Sequence, residues 1–300
     1  MRALGRFAAA GTGLAAASLA WGMGVERRWF TLRHATVPVL RPDARAPLRV
    51  LHVSDLHLLP RQDGVERFLA ACVATGPDLV VATGDLVGSP DTIDAAVGLL
   101  AEVRAGRPGL AVLGSNDRYA PVPRSPLRYL ASSGRKPSSD LLDTSRLIRG
   151  LAATGWELVD NRRLRLDTPS GIIDVAGLGD PHIGRDRPEY VDWTPPGAPV
   201  ALRLGVVHSP YLRALDTFAA QGLDLTLAGH THGGQVRVPL VGPLSSNCDL
   251  PLGQARGLSR HGATWLHVSA GLGHSRYAPY RLACRPEATV LDLVTARAGQ

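Results

Sequence analysis

Two patterns of apolar residues divide the chain. Phe7 to Val25 is an uncharged run of Phe, Leu, Ala, Gly, Trp and Met that follows Arg2 and Arg6, the layout of a signal peptide or signal anchor. The run is close to the ~20 residues that span hydrocarbon, which permits a membrane helix; cleavage after a small residue such as Ala20 and a buried N-terminal helix are the alternatives. Arginine lies on both sides, at Arg27, Arg28 and Arg33 as well as at Arg2 and Arg6, so charge bias leaves the orientation open. Residues 1–28 are read as leader or anchor, 29–47 as a Pro- and Arg-bearing linker, and 48–296 as the folded domain.

From Leu48 the periods change. Leu48 to Ser54 is an apolar, β-rich run ending in a polar loop, as in a buried strand. Val65, Phe68, Leu69, Cys72 and Val73 recur at helical spacing until Gly76-Pro77 stops the helix, and Leu79 to Ala82 supplies the next strand of a βαβ unit. A second helix, capped by Asp91, buries Ile93, Val97 and Leu100 and leads to a strand at Leu110 to Leu113. Arg118 to Ser145 is rich in Pro, Ser and Arg and follows neither period, which reads as a long loop or small lid over the active-site edge. Further strands are expected at Arg163 to Asp167, Ile172 to Ala176, Leu202 to Val207 and Leu225 to Ala228, with a helix from Tyr211 to Ala220 between the last two. The Ser170-Gly171 turn points to a hairpin and a second sheet.

Composition changes this picture little, since 45% apolar and 20% charged residues are ordinary for a chain that buries a core. A net charge of +7 invites a polyanion or an anionic membrane surface. Lys136 is the single lysine, however, so arginine carries the surplus, as a coding bias also produces. Cys72, Cys248 and Cys284 are too far apart to form a zinc or redox motif, and no disulfide framework is expected.

The chemistry sits in five polar clusters, each just after an expected strand: Asp55-Leu56-His57, Gly84-Asp85, Gly114-Ser115-Asn116-Asp117, His208-Ser209 and Gly229-His230-Thr231-His232. Loops at the carboxyl ends of strands in an α/β sheet converge on one crevice, so residues distant in sequence meet there. An Asp and a His two apart can aim at one ion, a His-x-His does the same from another strand, and the flanking glycines allow close backbone approach. The set of Asp, His and Asn without thiolate suits two divalent ions such as Mn, Fe or Zn.

In this order the series resembles the calcineurin-like metallophosphoesterase pattern over most of Leu48 to Gln235. The resemblance implies an α/β fold, a two-sheet sandwich flanked by helices (αββα). It implies that Asp55, His57 and His232 hold one metal, that Asn116, His208 and His230 hold the other, and that Asp85 bridges them. The Gly229 to Gln235 ending and the tail Gly271 to Glu287 are most similar to the membrane-associated bacterial branch. The expected activity is hydrolysis of a phosphodiester or pyrophosphate bond by a dimetal-activated water, on a small or lipid-linked substrate, in a protein that is membrane-associated or exported through its N-terminus.

One cluster departs from the family pattern, which usually reads Gly-Asn-His-Asp/Glu where this chain has Gly114-Ser115-Asn116-Asp117. Ungapped, Ser115 stands at the ligand position and Asn116 at that of the acid; slipped by one, Asn116 is the ligand and Asp117 follows it. An amide oxygen favours Asn116, and either way the usual histidine acid is missing. Asp85, Asn116 and Asp117 are thus the catalytic candidates. Asp180 and His182, in Gly179-Asp-Pro-His-Ile-Gly184, are candidate substrate contacts, while His52 reads as a packed core residue. A nuclease and a non-catalytic scaffold are the competing readings. The first lacks the aromatic and basic interleaving that stacks bases, which makes nucleic acid an unfavoured partner, and the second, which the altered third cluster suggests, is opposed by six of the seven expected ligand positions being unambiguous.

Overall fold

The computed structural model describes residues 13, 16–60, 62–121, 141–274 and 276–296. Much of the apolar run before residue 16, Lys136, and residues 122–140 of the expected lid lie outside the described residues. The first half runs β1 (Thr31–Leu40), β2 (Leu48–Val53), α1 (Asp63–Val73), β3 (Leu79–Ala82), α2 (Ile93–Arg104), β4 (Gly109–Ala111), α3 (Thr144–Ala153) and β5 (Trp156–Leu158). The second runs β6 (Arg162–Thr168), β7 (Gly171–Gly177), β8 (Leu202–Val206), α4 (Leu212–Ala220), β9 (Leu225–Ala228), the short pair β10 (Arg237–Val238) and β11 (Gly242–Pro243), the hairpin β12 (Gly257–His261) and β13 (Thr264–Val268), and β14 (Glu287–Thr295).

Two six-stranded sheets result, ordered β1-β14-β2-β3-β4-β5 and β12-β13-β9-β8-β7-β6. Within them β2 to β5 are parallel, and so are β7, β8, β9 and β13. Alternation along the strands builds the layers. Val50, Leu79 and Val81 face Leu204, Val206, Leu225 and Leu227 inside the sandwich. Leu51, Val53, Val80 and Ala82 face the other way, onto Val65 and Leu69 of α1, Leu100 of α2 and Leu147 and Leu151 of α3. Phe218 and Leu215 of α4 cover the far side of the second sheet over Ala176, Leu266 and Val268. The layers are α, β, β, α, as the resemblance implies, and the Ser170-Gly171 turn does close the β6–β7 hairpin, with Gly171 at φ +113°.

The stretch 29–47 is not a linker. Most of it is β1, which pairs in parallel with β14, itself antiparallel to β2. Thr31–Leu40 carries Arg33 and His34 on its polar positions and Pro38 near its end, features that hide a strand from a pattern search but suit an edge, where a missing N–H is tolerated; Val37 and Leu40 are nevertheless fully buried. The boundary at Leu48 also fails upstream, because Glu26 is buried and accepts from Cys284 N at 2.7 Å and from Trp21 Nε1 at 3.2 Å. Asp91 does not cap α2: it sits in a single 3-10 turn, Pro90–Thr92, that precedes the helix, whose N-cap is Thr92.

Candidate metal centre

The parallel strands of both sheets end on the same side, and each sheet delivers part of the site there. From the first sheet, β2 leads into Asp55 and His57, β3 into Asp85 and β4 into Asn116; from the second, β8 leads into His208 and β9 into His230 and His232. The chain leaves each strand abruptly. Asp55, His57, Asp85, His230 and His232 all take positive φ, between 40° and 69°, a left-handed conformation that costs a non-glycine residue on the order of 1–3 kcal/mol and concentrates at functional sites. Two glycines make room at the centre. A Cβ on Gly114 would stand 2.7 Å from His208 Nε2, and one on Gly229 would stand 2.5 Å from Asp55 Oδ2.

Two groups of buried donors result, Asp55 with His57 and His232, and Asp55 with Asp85 and His208. In the first, His57 Nε2 and His232 Nε2 approach to 3.2 Å, and Asp55 Oδ1 lies 4.0 Å and 3.7 Å from them. Asp85 Oδ2 is 3.5 Å from His57 Nε2 and 3.6 Å from His208 Nε2, so this carboxylate stands between the groups. His208 donates from Nδ1 to Thr83 O at 2.6 Å. Its Nε2 is buried with no hydrogen-bond partner among the described residues. An unpartnered imidazole nitrogen facing a carboxylate, with further nitrogen and oxygen donors converging on the same space, fits divalent cations.

The electrostatics agree. Burial works against Asp85, but the charges of His208 and His57 and the amide of Asn116 outweigh it and hold the carboxyl well below its usual range. Burial pushes Asp55 up to about 6, against the pull of His208. His208 is held well above the ordinary imidazole range because Asp85, Asp180 and Asp55 outweigh its burial. Burial, and then neighbouring imidazoles, push His230 and His232 well below it, which leaves them neutral as ligands require. Before a cation binds, His208 thus carries the positive charge that faces Asp85, while His230 and His232 stand as neutral nitrogen donors in the wall.

At the third cluster the structure brings Asn116, rather than Ser115, to the centre: Asn116 Nδ2 donates to Asp85 Oδ2 at 2.6 Å and its backbone N to Asp85 Oδ1 at 2.8 Å. Asp117 differs from the catalytic expectation. Its Oδ1 accepts from Leu86 N and Val87 N, at 2.7 and 3.1 Å, and its Oδ2 from Gly114 N at 2.9 Å. Those donors saturate the carboxylate and make it a clamp between the two loops. His230 is placed partly as expected. Its ring is 5.2 Å from that of His208, but its Nε2 is turned 3.2 Å from Asn247 O, and it stands outside both donor groups. Asp180 is fully buried, where Oδ1 accepts from Ser209 Oγ at 2.6 Å and His182 N at 3.0 Å, and so anchors the residue next to His208. His182 does reach the rim, its ring 4.6 Å from His230 and its Nδ1 2.9 Å from Tyr211 OH.

Residues without a motif support the centre from behind. His52 is not a plain core residue: its Nδ1 lies 2.9 Å from His267 Nδ1 across the two sheets, and its Nε2 lies 2.9 Å from Thr83 Oγ1. Thr83 donates to Ser54 Oγ at 2.7 Å, and Ser54 to Asp55 Oδ2 at 2.5 Å. This polar row fixes the Asp55 carboxylate, as hydrogen-bonded neighbours of metal ligands do. Arg281, fully buried, spans Ala270 O, Gly271 O and Gly273 O and lies 3.3 Å from His232 Nδ1. The odd strand position of a histidine is the only trace of His52's role in the sequence, and Arg281 leaves none.

Comparison with known proteins now identifies the class. The calcineurin-like phosphoesterase family model matches residues 48–234. Phosphodiesterase YaeI of Escherichia coli is 30% identical over 278 residues, 90% of each chain. Metallophosphoesterase YkuE of Bacillus subtilis, described as uncharacterized, is 27% identical, covering 88% of this chain and 85% of its own. A Bos taurus protein described as a transmembrane protein with metallophosphoesterase domain is 27% identical over 87% of this chain and 56% of its own. The chain belongs to the calcineurin-like phosphoesterase family: it is a hydrolase of phosphoester bonds that uses a dimetal centre.

Proposed function

We propose that this enzyme cleaves a phosphodiester or pyrophosphate bond in a lipid-linked substrate at a membrane surface. The observation that carries the chemistry is the convergence of Asp55, His57, Asp85, His208 and His232 from two sheets on one buried space, with His208 Nε2 unpartnered. We assign His57 and His232, with Asp55, to one cation and His208, with Asn116 and His230, to the other, Asp85 serving both. When bound, such a pair of cations supplies the charge that polarises the phosphoryl group and acidifies the attacking water. The side chains do the rest. Asp85 supplies negative charge where two cations must sit side by side, Thr83 O fixes the tautomer of His208, and Ser54 and His230 N hold Asp55 in one orientation.

The membrane part rests on the N-terminus. The apolar run of residues 7–25 ends against the folded domain, and Leu19, Trp21, Val25 and Trp29 remain largely exposed. We assign membrane association to this segment on those exposed apolar side chains; no helix among the described residues is long and apolar enough to cross a membrane. Phosphodiester specificity is supported by the similarity to a phosphodiesterase over 90% of the chain. The test is turnover of bis(4-nitrophenyl) phosphate, 4-nitrophenyl phosphate and a nucleoside diphosphate by the purified protein supplied with Mn, Fe or Zn. Asp85→Asn is expected to lose both turnover and stoichiometric metal. Wild-type-like activity in that variant would sink the two-cation assignment, and preference for the monoester would sink the diesterase reading.

A further inference from the structure

A second cavity of about 530 Å³ lies beside the centre, and three of its lining residues are Arg27, Arg28 and Arg67. Its remaining wall is largely apolar, with Phe30, Leu59 and Leu272 among the lining groups. It shares its walls with the metal centre. Leu59 follows His57 by two residues, and Leu272 N and Gly273 N donate to Ser54 O and Asp55 O at 3.0 and 2.6 Å. Arg281 in turn locks Gly273 in place through its carbonyl.

The charge in this cavity is uncompensated. None of the three arginines belongs to an ion pair among the described residues, and Arg27 Nε is buried without a hydrogen-bond partner there. Arg27 Nη1 lies 3.4 Å from His274 Nε2, and Arg28 Nη1 donates to Gly24 O at 2.8 Å. Burial, and then the adjacent Arg28, push Arg27 below the usual arginine range, as expected for crowded positive charge awaiting an anion. Buried donors that protein groups leave unmet are where a ligand contributes most. A guanidinium fork presents paired N–H donors to a phosphate or carboxylate. Val25 and Trp29, close in sequence to Arg27 and Arg28, are exposed, the latter with the Arg285 guanidinium 4.1 Å over its ring. Cations bordered by exposed aromatic and aliphatic side chains are the pattern of a protein surface that meets an anionic lipid layer.

We propose that this cavity is a binding subsite for a second anionic group of an amphiphilic substrate, held by Arg27, Arg28 and Arg67 while Phe30, Leu59 and Leu272 pack against the adjoining apolar part. The proposal rests on the phosphoesterase reading above and names the class of molecule that reading serves: an anionic amphiphile with a phosphoester at the metals and another anion in the cavity. A molecule with both features gains from both walls at once, whereas inorganic phosphate meets only the arginines.

The experiment uses the full chain in a non-ionic detergent and titration calorimetry with three probes: dihexanoyl phosphatidylinositol 4-phosphate, which carries a phosphodiester and a second phosphate, dihexanoyl phosphatidylinositol, which carries the diester alone, and inorganic phosphate. The doubly anionic lipid is expected to bind about tenfold tighter than either of the others. Arg67→Glu, a change on the exposed face of α1, and Arg27→Ala are each expected to weaken that binding about fivefold or more. Both variants should retain the wild-type rate on bis(4-nitrophenyl) phosphate, which has no second anion. Unchanged affinity for the doubly anionic lipid in Arg67→Glu and Arg27→Ala overturns the proposal, as does equal affinity of the wild type for the two lipids. Absence of turnover by the wild type on the aryl diester strikes the phosphoesterase reading instead, and leaves the titration to be judged by itself.

Discussion

At the scale of single residues, the third cluster decides two outcomes. Asn116 donates to both oxygens of Asp85, so Asn116→Ala is expected to lose about half the bound metal and most activity, and Ser115→Ala to be mild. Metal analysis of the two purified variants checks this; the reverse order would restore the ungapped alignment. The same cluster lacks a histidine, and the carboxylate within it, Asp117, accepts from three backbone amides. A dedicated general acid contributes ~10²–10⁴-fold where a leaving group needs its proton. Cleavage of aryl phosphodiesters is therefore expected to slow steeply as the leaving-group pKa rises, measured as kcat/KM at constant pH with chemistry rate-limiting. A flat dependence would mean that a side chain at the rim supplies the proton, and His182, 4.6 Å from His230, would be the first to replace.

At the scale of elements, the strand that the pattern concealed matters most. β1 contributes Val37, Val39 and Leu40 to the sandwich core, and burial of each such side chain stabilises by ~1.5–3 kcal/mol, against a total stability of ~5–15 kcal/mol for a typical domain. Deleting residues 1–47 is expected to prevent folding, read out by far-ultraviolet circular dichroism. Deleting residues 1–28 is expected to leave a folded enzyme that melts lower, because Cys284 N loses its buried partner Glu26, at a cost of ~1–3 kcal/mol. A shorter protein beginning at Leu48 that melts like the full chain would show β1 to be dispensable. The strands and helices of the interior were legible because each satisfies its own period: Leu79–Ala82 is buried on both faces and reads as an unbroken apolar run, and α1 shows its stripe. β1 was not, since an edge strand needs only one apolar face and here tolerates Arg33, His34 and Pro38.

At the scale of the whole molecule, the centre joins two sheets, so what holds it together can be tested through the metal. Burial raises Asp55 to about 6, which means that protons compete for this ligand at a pH where an ordinary carboxylate is already bare. Acid also protonates the imidazole ligands, so every term has the same sign: affinity for metal falls as pH falls. Equilibrium dialysis against dilute Mn or Zn at pH 8, 7, 6 and 5 is expected to show retained metal down to about pH 6 and a steep loss below it. Metal content unchanged at pH 5 would show that protons do not compete with metal at these ligands in that range. The candidate ligands and their order were marked by the sequence itself, because each lies in a short motif where a strand's apolar run breaks into polar residues and glycine, and that break is local. Only the tertiary structure decided that His52 and His267 meet across the sandwich to brace Asp55, that Arg281 backs His232, that Asp117 and Asp180 serve as anchors, and that Arg27 and Arg67 share a cavity. Those roles depend on which residues, tens to hundreds of positions apart, are brought into hydrogen-bonding range, and no periodicity along the chain carries that distance.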